Sequence, residues 1–153
     1  MTWEFPSQTP EEYGPFRREV VNRLRQLTDY LRRRDRVSLG FGSVVTTDDT
    51  ATAVVTVAIP VTRTVLIEAT VVGRRTGGTS GSTGDGAAYV LHCVAKNIAG
   101  TVTIIDQSLT FTGEDQAGWD VDAAVSGTTI EIQVTGAVDN TVTWSAVASW
   151  LAG

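Results

Sequence analysis

The 153-residue sequence has little of the chemistry on which most catalytic sites depend. It contains one cysteine, Cys93, and one histidine, His92. A single cysteine excludes an internal disulfide and a CxxC metal motif, and a single histidine makes a zinc site or a Ser-His-Asp arrangement depend on that one residue. We therefore expect a protein that is not an enzyme, has no cofactor and no metal, and buries the Cys93 thiol.

Long apolar runs and a basic surface are missing as well. The most apolar stretch, from Ala53 to Val61, is far shorter than the ~20 residues of a membrane-spanning helix. The N-terminus has neither the basic start nor the apolar core of a signal peptide. Residues 37–153 hold four basic and eleven acidic residues, and such an acidic surface argues against nucleic acid as a partner. We expect a soluble protein, made in the cytosol, without membrane insertion.

Three alternating segments follow one another near the C-terminus. In the middle segment Ile130, Ile132 and Val134 alternate with polar residues, which is the period of two of a half-buried strand. The flanking segments repeat the pattern with one tryptophan each on the apolar side: Trp119, Val121, Ala123 and Val125 before it, and Val142, Trp144 and Ala146 after it. Short turn sequences separate the segments, so we predict an antiparallel meander with both tryptophans in the core.

Strand patterns cover most of the chain from Val37 onward. Upstream of the three C-terminal segments we predict strands over Val37–Val45, Ala51–Ile59, Thr64–Val72, Ala88–Lys96, Thr101–Ile105 and Leu109–Thr112. Turn residues at regular intervals separate them, and no helical crossovers for a parallel sheet are indicated. The fold class predicted for residues 37–153 is therefore all-β: an antiparallel, jelly-roll-like β-sandwich head.

An amphipathic helix is predicted ahead of this head. Thr9-Pro10-Glu11-Glu12 has the pattern of a helix start, and the main helix is expected from about Pro15 to Arg34 within a stem of residues 10–36. One apolar stripe runs along it, with arginines on its flanks: Phe16, Val20, Leu24, Leu27 and Leu31. Val20, Leu24, Leu27 and Leu31 also fit a heptad seam, and this narrow seam favours a short trimeric coiled coil, with a helix that lies on its own sheet as the alternative.

The first nine residues form neither a helical nor a strand pattern. They carry Trp3 and Phe5 beside Pro6, which keeps the segment extended. Two aromatic residues in a short segment need a partner surface to be buried. We predict that residues 1–9 are an attachment arm with Trp3 and Phe5 as its anchors.

A loop rich in glycine, serine and threonine extends from Arg74 to Gly86. It lacks the lysine and the strand-to-helix setting of a phosphate-binding loop, so we interpret it as a flexible hairpin loop whose residues 77–86 are dispensable for folding. Contact with a ligand or a neighbouring protein is the alternative, with these candidate residues: Arg74, Arg75, Gly78, Ser80 and Asp85. Asp120 and Asp122 project from one strand face. They form either a solvated acidic surface or a site for a hard cation such as calcium.

The C-terminal segments resemble a known family. KNIAGTVTIIDQ, followed by WDVDAAVSGTTIEIQVTGAVDNTVTWSAVASW, is similar to the C-terminal β-sandwich of many bacteriophage tail-fibre and minor tail proteins. The similarity is loose over residues 65–150 and close over residues 113–149. This resemblance implies a virion structural protein, a homotrimer with a helical stem, and no catalytic residues.

Two classes of function follow from the resemblance and the composition. The first is a phage structural protein made in the host cytoplasm and carried in the virion, with itself and other virion proteins as partners. It would be a minor tail or tail-tip fibre protein with receptor binding to a host-surface glycan or protein, or alternatively a capsid decoration protein. The second is a free carbohydrate-binding β-sandwich.

Overall fold

The computed structural model describes residues 19–24, 26 and 37–153. The chain divides into two units, Met1–Arg36 and Val37–Gly153. The described residues of the first unit are helical and exposed, and Arg23 Nη2 donates to Glu19 Oε1 at 2.8 Å, one helical turn away. Trp3, Phe5, Leu27 and Leu31 lie outside the described residues. None of the helices within the described ranges is long and apolar enough to cross a membrane.

The second unit is built from eight strands. In chain order they are β1 (Val37–Thr46), β2 (Thr52–Ala58), β3 (Arg63–Gly78), β4 (Gly86–Ile98), β5 (Thr101–Glu114), β6 (Asp120–Ser126), β7 (Thr129–Thr135) and β8 (Asn140–Ala152). Five of them form one sheet in the order β1-β8-β3-β4-β5, and three form a second sheet in the order β2-β7-β6. All pairings are antiparallel, which confirms the prediction of an all-β sandwich.

The jelly-roll-like order holds only in part. The two ends of the chain alternate between the sheets, since β1 and β8 lie in the large sheet and β2 and β7 in the small one. The middle of the chain instead runs as a meander, β3-β4-β5, along one sheet. Because β4 and β5 stay in the large sheet, the result is a five-on-three sandwich.

The predicted C-terminal meander is wrong at its last step. β6 and β7 form the expected hairpin around Gly127, which has a positive φ of 59°. After β7 the chain passes to the other sheet, where β8 pairs with β1 and β3. The turn residues between β7 and β8 were identified correctly, but a turn sequence does not say which sheet the next strand joins.

The break predicted within β5 is also wrong. Asp106-Gln107 was expected to separate two strands, whereas β5 continues through them beside β4. The register shifts at two places, where Ile105 and Thr110 are left without a directly opposed residue on β4. Two β-bulges therefore absorb the irregular pattern without ending the strand.

An aromatic cluster joins the two sheets in the core. Trp119, next to β6, packs edge-on against Trp144 of β8, with ring centroids 5.5 Å apart and planes at 67°. Tyr89 of β4 lies 6.4 Å from the same ring. All three side chains are buried, so the prediction that Trp119 and Trp144 are core residues is confirmed. The inward faces of β6, β7 and β8 are also as predicted, except that Val125 is exposed.

Cys93 is buried as expected, and its chemistry is testable. Burial raises the pKa of its thiol to about 11, and the charges of Asp122 and Asp106 add to the effect. At pH 8 only about 0.1% of such a thiol is ionised. We expect iodoacetamide to alkylate Cys93 at least ~100-fold more slowly in the native protein than in urea. Equal rates in the two states would contradict the buried position of Cys93.

Candidate functional site

The acidic residues do not converge on a metal site. Within residues 19–24, 26 and 37–153, no group of three or more His, Cys, Asp or Glu side chains is placed to hold a metal ion. Asp120 and Asp122 project from the outer face of β6, beside Glu131 of β7. The hydrogen bond from the Gln133 side chain lowers the pKa of Glu131, and a bond to Ser126 adds to this effect. The outer face of the three-stranded sheet is thus a solvated, negatively charged surface.

The loop between β3 and β4 is shorter and better held than its composition predicts. β3 continues to Gly78 and β4 begins at Gly86, so only residues 79–85 connect them. Arg75 is the first anchor, because its Nε donates to Ser80 O and its Nη2 to Gly78 O, both at 2.7 Å. The Ser80 amide also donates to Asp139 O at 2.9 Å, which ties the loop to the turn before β8.

Asp85 is the second anchor of this loop. Its carboxylate accepts a hydrogen bond from the Ser82 amide and another from Gln116 Nε2, both at 2.7 Å, and the side chain is buried. Gly78 has a positive φ of 92°, where a Cβ would press on the backbone of Asp139. The expectation of a plain flexible loop is therefore wrong for these residues, although the tip from Thr79 to Gly84 is exposed.

Removing the Asp85 carboxylate should weaken this loop measurably. Asp85→Ala leaves the Ser82 amide and the Gln116 side-chain amide without their acceptor, so we expect the free energy of unfolding to fall by about 1–3 kcal/mol. Urea denaturation measures the effect. Thr83→Ala, at the exposed tip of the same loop, is the matched control and should change stability by less than about 0.5 kcal/mol. Equal stabilities of the two variants would show that Asp85 anchors nothing.

The outer face of the five-stranded sheet carries large apolar side chains in rows across the strands. One row joins residues from all five strands, in the order Phe41, Val147, Thr70, Val90 and Phe111. A second row runs in the same direction through Val37, Leu151, Leu66, Val94 and Asp106. Phe41 is 76% exposed and Phe111 is 55% exposed, so these rings face away from the core.

A polar row lies between these two rows. It contains Leu39, Ser149, Glu68, His92 and Ser108, and His92 Nε2 lies 2.8 Å from Glu68 Oε2. Next to it a shallow groove opens along β1, β8 and β3, lined by Val37, Leu66, Glu68, Ser149, Trp150 and Leu151. The sole histidine of the sequence is thus part of a surface pair on a mainly apolar face.

This apolar face was not identified from the sequence. In β1 the large residues Val37, Leu39 and Phe41 alternate with small ones, and such a pattern ordinarily places the large residues inside. The structure reverses this, because the core beside β1 has no room for them. A Cβ at Gly40 would lie 3.1 Å from the Trp150 ring, and one at Gly42 would collide with the carbonyl oxygen of Val54.

The other candidate residues have these positions. Val20 and Leu24 are exposed on the helical segment of the first unit. Arg74 lies on the outer face of β3, opposite Thr143 and Gly86, while Arg75, Gly78, Ser80 and Asp85 belong to the loop described above. The structure thus brings the five loop candidates into one region at the β3–β4 end of the sheet.

Comparison with known proteins gives a fold but no family. No protein-family model and no curated protein matches the chain. Among solved structures, the tailspike protein of Acinetobacter baumannii phage AM24 matches 76% of this chain and 26% of its own, at 10% identity and a TM-score of 0.52. The tailspike protein of Acinetobacter phage vB_ApiP_P1 matches with a TM-score of 0.42 and 10% identity, over 77% of this chain and 22% of that one.

A third similar structure is tailspike gp49 of Acinetobacter baumannii bacteriophage Fri1, described as a capsular polysaccharide depolymerase. It matches with a TM-score of 0.36 and 13% identity, over 74% of this chain and 19% of that one. This chain therefore spans about a quarter or less of the length of these tailspikes. At 10% identity, the likeness to the AM24 protein shows that the chain shares the fold of a segment of a phage tailspike.

Proposed function

We propose that this protein is a structural component of a phage virion: a homotrimeric minor tail or tail-tip fibre protein that contacts the host surface. The observation that carries the proposal is the shared fold with the AM24 tailspike over 76% of the chain. The resemblance of residues 113–149 to tail-fibre sandwiches supports the same assignment from the sequence side.

The proposed assembly uses the N-terminal residues for attachment and the stem for trimerisation. Trp3 and Phe5 would dock on another virion protein, and the stripe of Val20, Leu24, Leu27 and Leu31 would face a shared axis. Val20 and Leu24 lie one turn apart on the described helical segment, which is the spacing that a helix–helix seam requires.

The proposed host contact uses the exposed tip of the β3–β4 loop and Arg74. Arg75, Gly78 and Asp85 hold the loop in one conformation through bonds within the protein. A loop that is held in this way loses less conformational entropy when it binds a host glycan or protein than a mobile one does. Ser80 and its neighbours at the tip would then make the contacts.

We propose no catalytic activity for this chain. His92 is paired with Glu68 on the outer face of the sheet, and the Cys93 thiol is buried with a raised pKa. Burial raises the pKa of Tyr89 strongly, and the hydrogen bond that its hydroxyl donates to Glu114 adds to the effect, so the phenol stays protonated. The Cys93 thiol and the Tyr89 phenol are therefore held in their protonated, weakly nucleophilic forms, and the sequence holds no second cysteine or histidine to act with the His92–Glu68 pair.

Localisation in the virion tests this proposal. Purified particles of the phage that carries the gene are incubated with a gold-labelled antibody against the protein and viewed by electron microscopy. We expect label at the tail tip. Label on the capsid would replace the tail assignment with a decoration protein, and particles without label, together with glycan binding by the free protein, would overturn the virion assignment in favour of a free carbohydrate-binding sandwich.

A further inference from the structure

We propose that copies of this chain associate through the outer face of the five-stranded sheet. This inference rests on the homotrimer of the proposed function and adds a second contact surface, in the head, to the one proposed in the stem. The partner is another copy of the same chain. The residues that carry the contact are exposed apolar side chains of this face: Phe41 and Val147 of the first row, Leu66 of the second, and Val72, which lies two residues beyond Thr70 on β3.

The size of the face suits a stable protein contact. Four strand spacings of about 4.8 Å and eight residue steps of about 3.3 Å, from Val37 to Val45, give a surface of about 500 Å². This area includes the polar row as well as the apolar side chains, and apolar patches of ~300–600 Å² on monomers are often functional. In a trimer the three faces would point toward the shared axis, and at about 500 Å² each they would together remove about 1,500 Å² from solvent.

The distribution of charge favours this face over the opposite one for contact between copies. Residues 37–153 carry four basic and eleven acidic residues, so two heads repel each other over most of their surface. The outer face of the three-stranded sheet presents Asp120, Asp122 and Glu131 without a basic residue on β2, β6 or β7. Copies that approached through that face would bring three carboxylates of each chain together.

The outer face of the five-stranded sheet is balanced instead. Its acids are Glu68 and Asp106, its basic residues are Arg74 and Lys96, and Glu68 is already paired with His92. Arg74, Lys96 and Asp106 lie toward the margin of the face, where charges of both signs can meet their opposites on another copy without net repulsion. Of the two outer sheet faces, this is therefore the one through which copies of the chain can associate without net charge repulsion.

The chemistry of the face also favours protein over glycan. Most of its apolar side chains are aliphatic, its two phenylalanines, Phe41 and Phe111, lie on the opposite edge strands of the sheet, and the His92 and Glu68 side chains of the polar row are engaged with each other. A sugar-binding surface combines aromatic rings with converging polar groups. Aliphatic rows with two widely separated rings, and a polar pair that is already satisfied, match a protein interface better.

Introduced cysteines can show whether the face is covered. Phe41→Cys and Val72→Cys, at residues 76% and 51% exposed, report on the face. The matched controls are Val61→Cys and Val138→Cys, at residues 55% and 57% exposed in the connections outside it. The native Cys93 is buried and does not contribute. With each full-length variant at micromolar concentration, we expect maleimide to label the two face cysteines at least tenfold more slowly than the two controls.

Charged substitutions connect this protection to association. Phe41→Glu combined with Val72→Glu places two carboxylates on this face, so the full chain should dissociate into smaller species on dilution to concentrations at which the wild type stays associated through both contacts. Val61→Glu combined with Val138→Glu should leave the sedimentation unchanged. If the face variant does not fold, the cysteine labelling still decides the question.

The outcomes separate this inference from the proposed function. A trimer whose face cysteines are labelled at the control rate would overturn the inference and leave trimerisation to the stem. If the protein is a monomer and its face cysteines are still labelled slowly, another part of the same chain covers the face. This result would also overturn the inference. The virion assignment is tested separately by the gold label.

Discussion

Replacing Trp144 with alanine should lower the free energy of unfolding by about 3–5 kcal/mol. The indole is fully buried between Trp119 and Tyr89, and it links the core of the two sheets. Its Nε1 donates to Thr46 Oγ1 at 2.9 Å, which fastens β8 to the end of β1. Alanine would leave a large cavity and a buried Thr46 hydroxyl without this donor.

Urea denaturation followed by circular dichroism measures this loss. Val138→Ala is the control, since Val138 is exposed in the connection between β7 and β8 and should cost less than about 0.5 kcal/mol. A Trp144→Ala variant as stable as the control would mean that Trp144 lies outside the core.

Replacing Gly73 with alanine should cost about 1–3 kcal/mol through overpacking. Gly73 on β3 lies opposite Trp144 on β8, and the ring occupies the space that a side chain would need. A Cβ at this position would be 2.6 Å from Trp144 Cε3 and nearer still to Cζ3. The ring is rigid and buried, so the strain must be relieved by movement of the sheet.

A double-mutant cycle separates this cause from general effects of alanine in a strand. Trp144→Phe removes the atoms that collide, so the Gly73→Ala, Trp144→Phe double variant should be more stable than the sum of the two single effects predicts. Gly118→Ala is the control, because a Cβ there meets no atom within 4 Å. Simple additivity of the two changes would contradict the proposed collision.

The parts of the fold that could be predicted are those governed by local alternation. Ile130, Ile132 and Val134 point inward as their period of two requires, and the two tryptophans on the apolar sides of the neighbouring segments reach the core. Alternation is a property of one strand and its two faces, so a sequence pattern suffices to assign it.

The choice of partner strand could not be predicted, because it depends on residues distant in sequence. β8 leaves β7 and joins β1 and β3, whose pairing residues lie about 65 to 115 positions earlier in the chain. Which face of β1 points inward is also decided by residues elsewhere in the chain. Gly40 and Gly42 face inward because Trp150 and Val54 leave no room there for a side chain. A pattern of large and small residues cannot show which side has space.

The β3–β4 loop illustrates a third limit. Glycine, serine and threonine suggested a flexible connection, but Arg75 and Asp85 hold it through hydrogen bonds to Gly78, Ser80, Ser82 and Gln116. Gln116 lies 31 positions away from Asp85, so this anchor also required the folded structure. Three of the candidate contact residues, Arg75, Gly78 and Asp85, support the loop itself.

The central claim is that this chain is a self-associating tail component, and its mass in solution tests that claim most directly. Sedimentation equilibrium of the full-length protein at micromolar concentration gives the mass without assumptions about shape. We predict a single species of three times 16.3 kDa that persists on tenfold dilution. A single species of 16.3 kDa would contradict the trimer proposed for the stem and the contact proposed for the outer face of the five-stranded sheet.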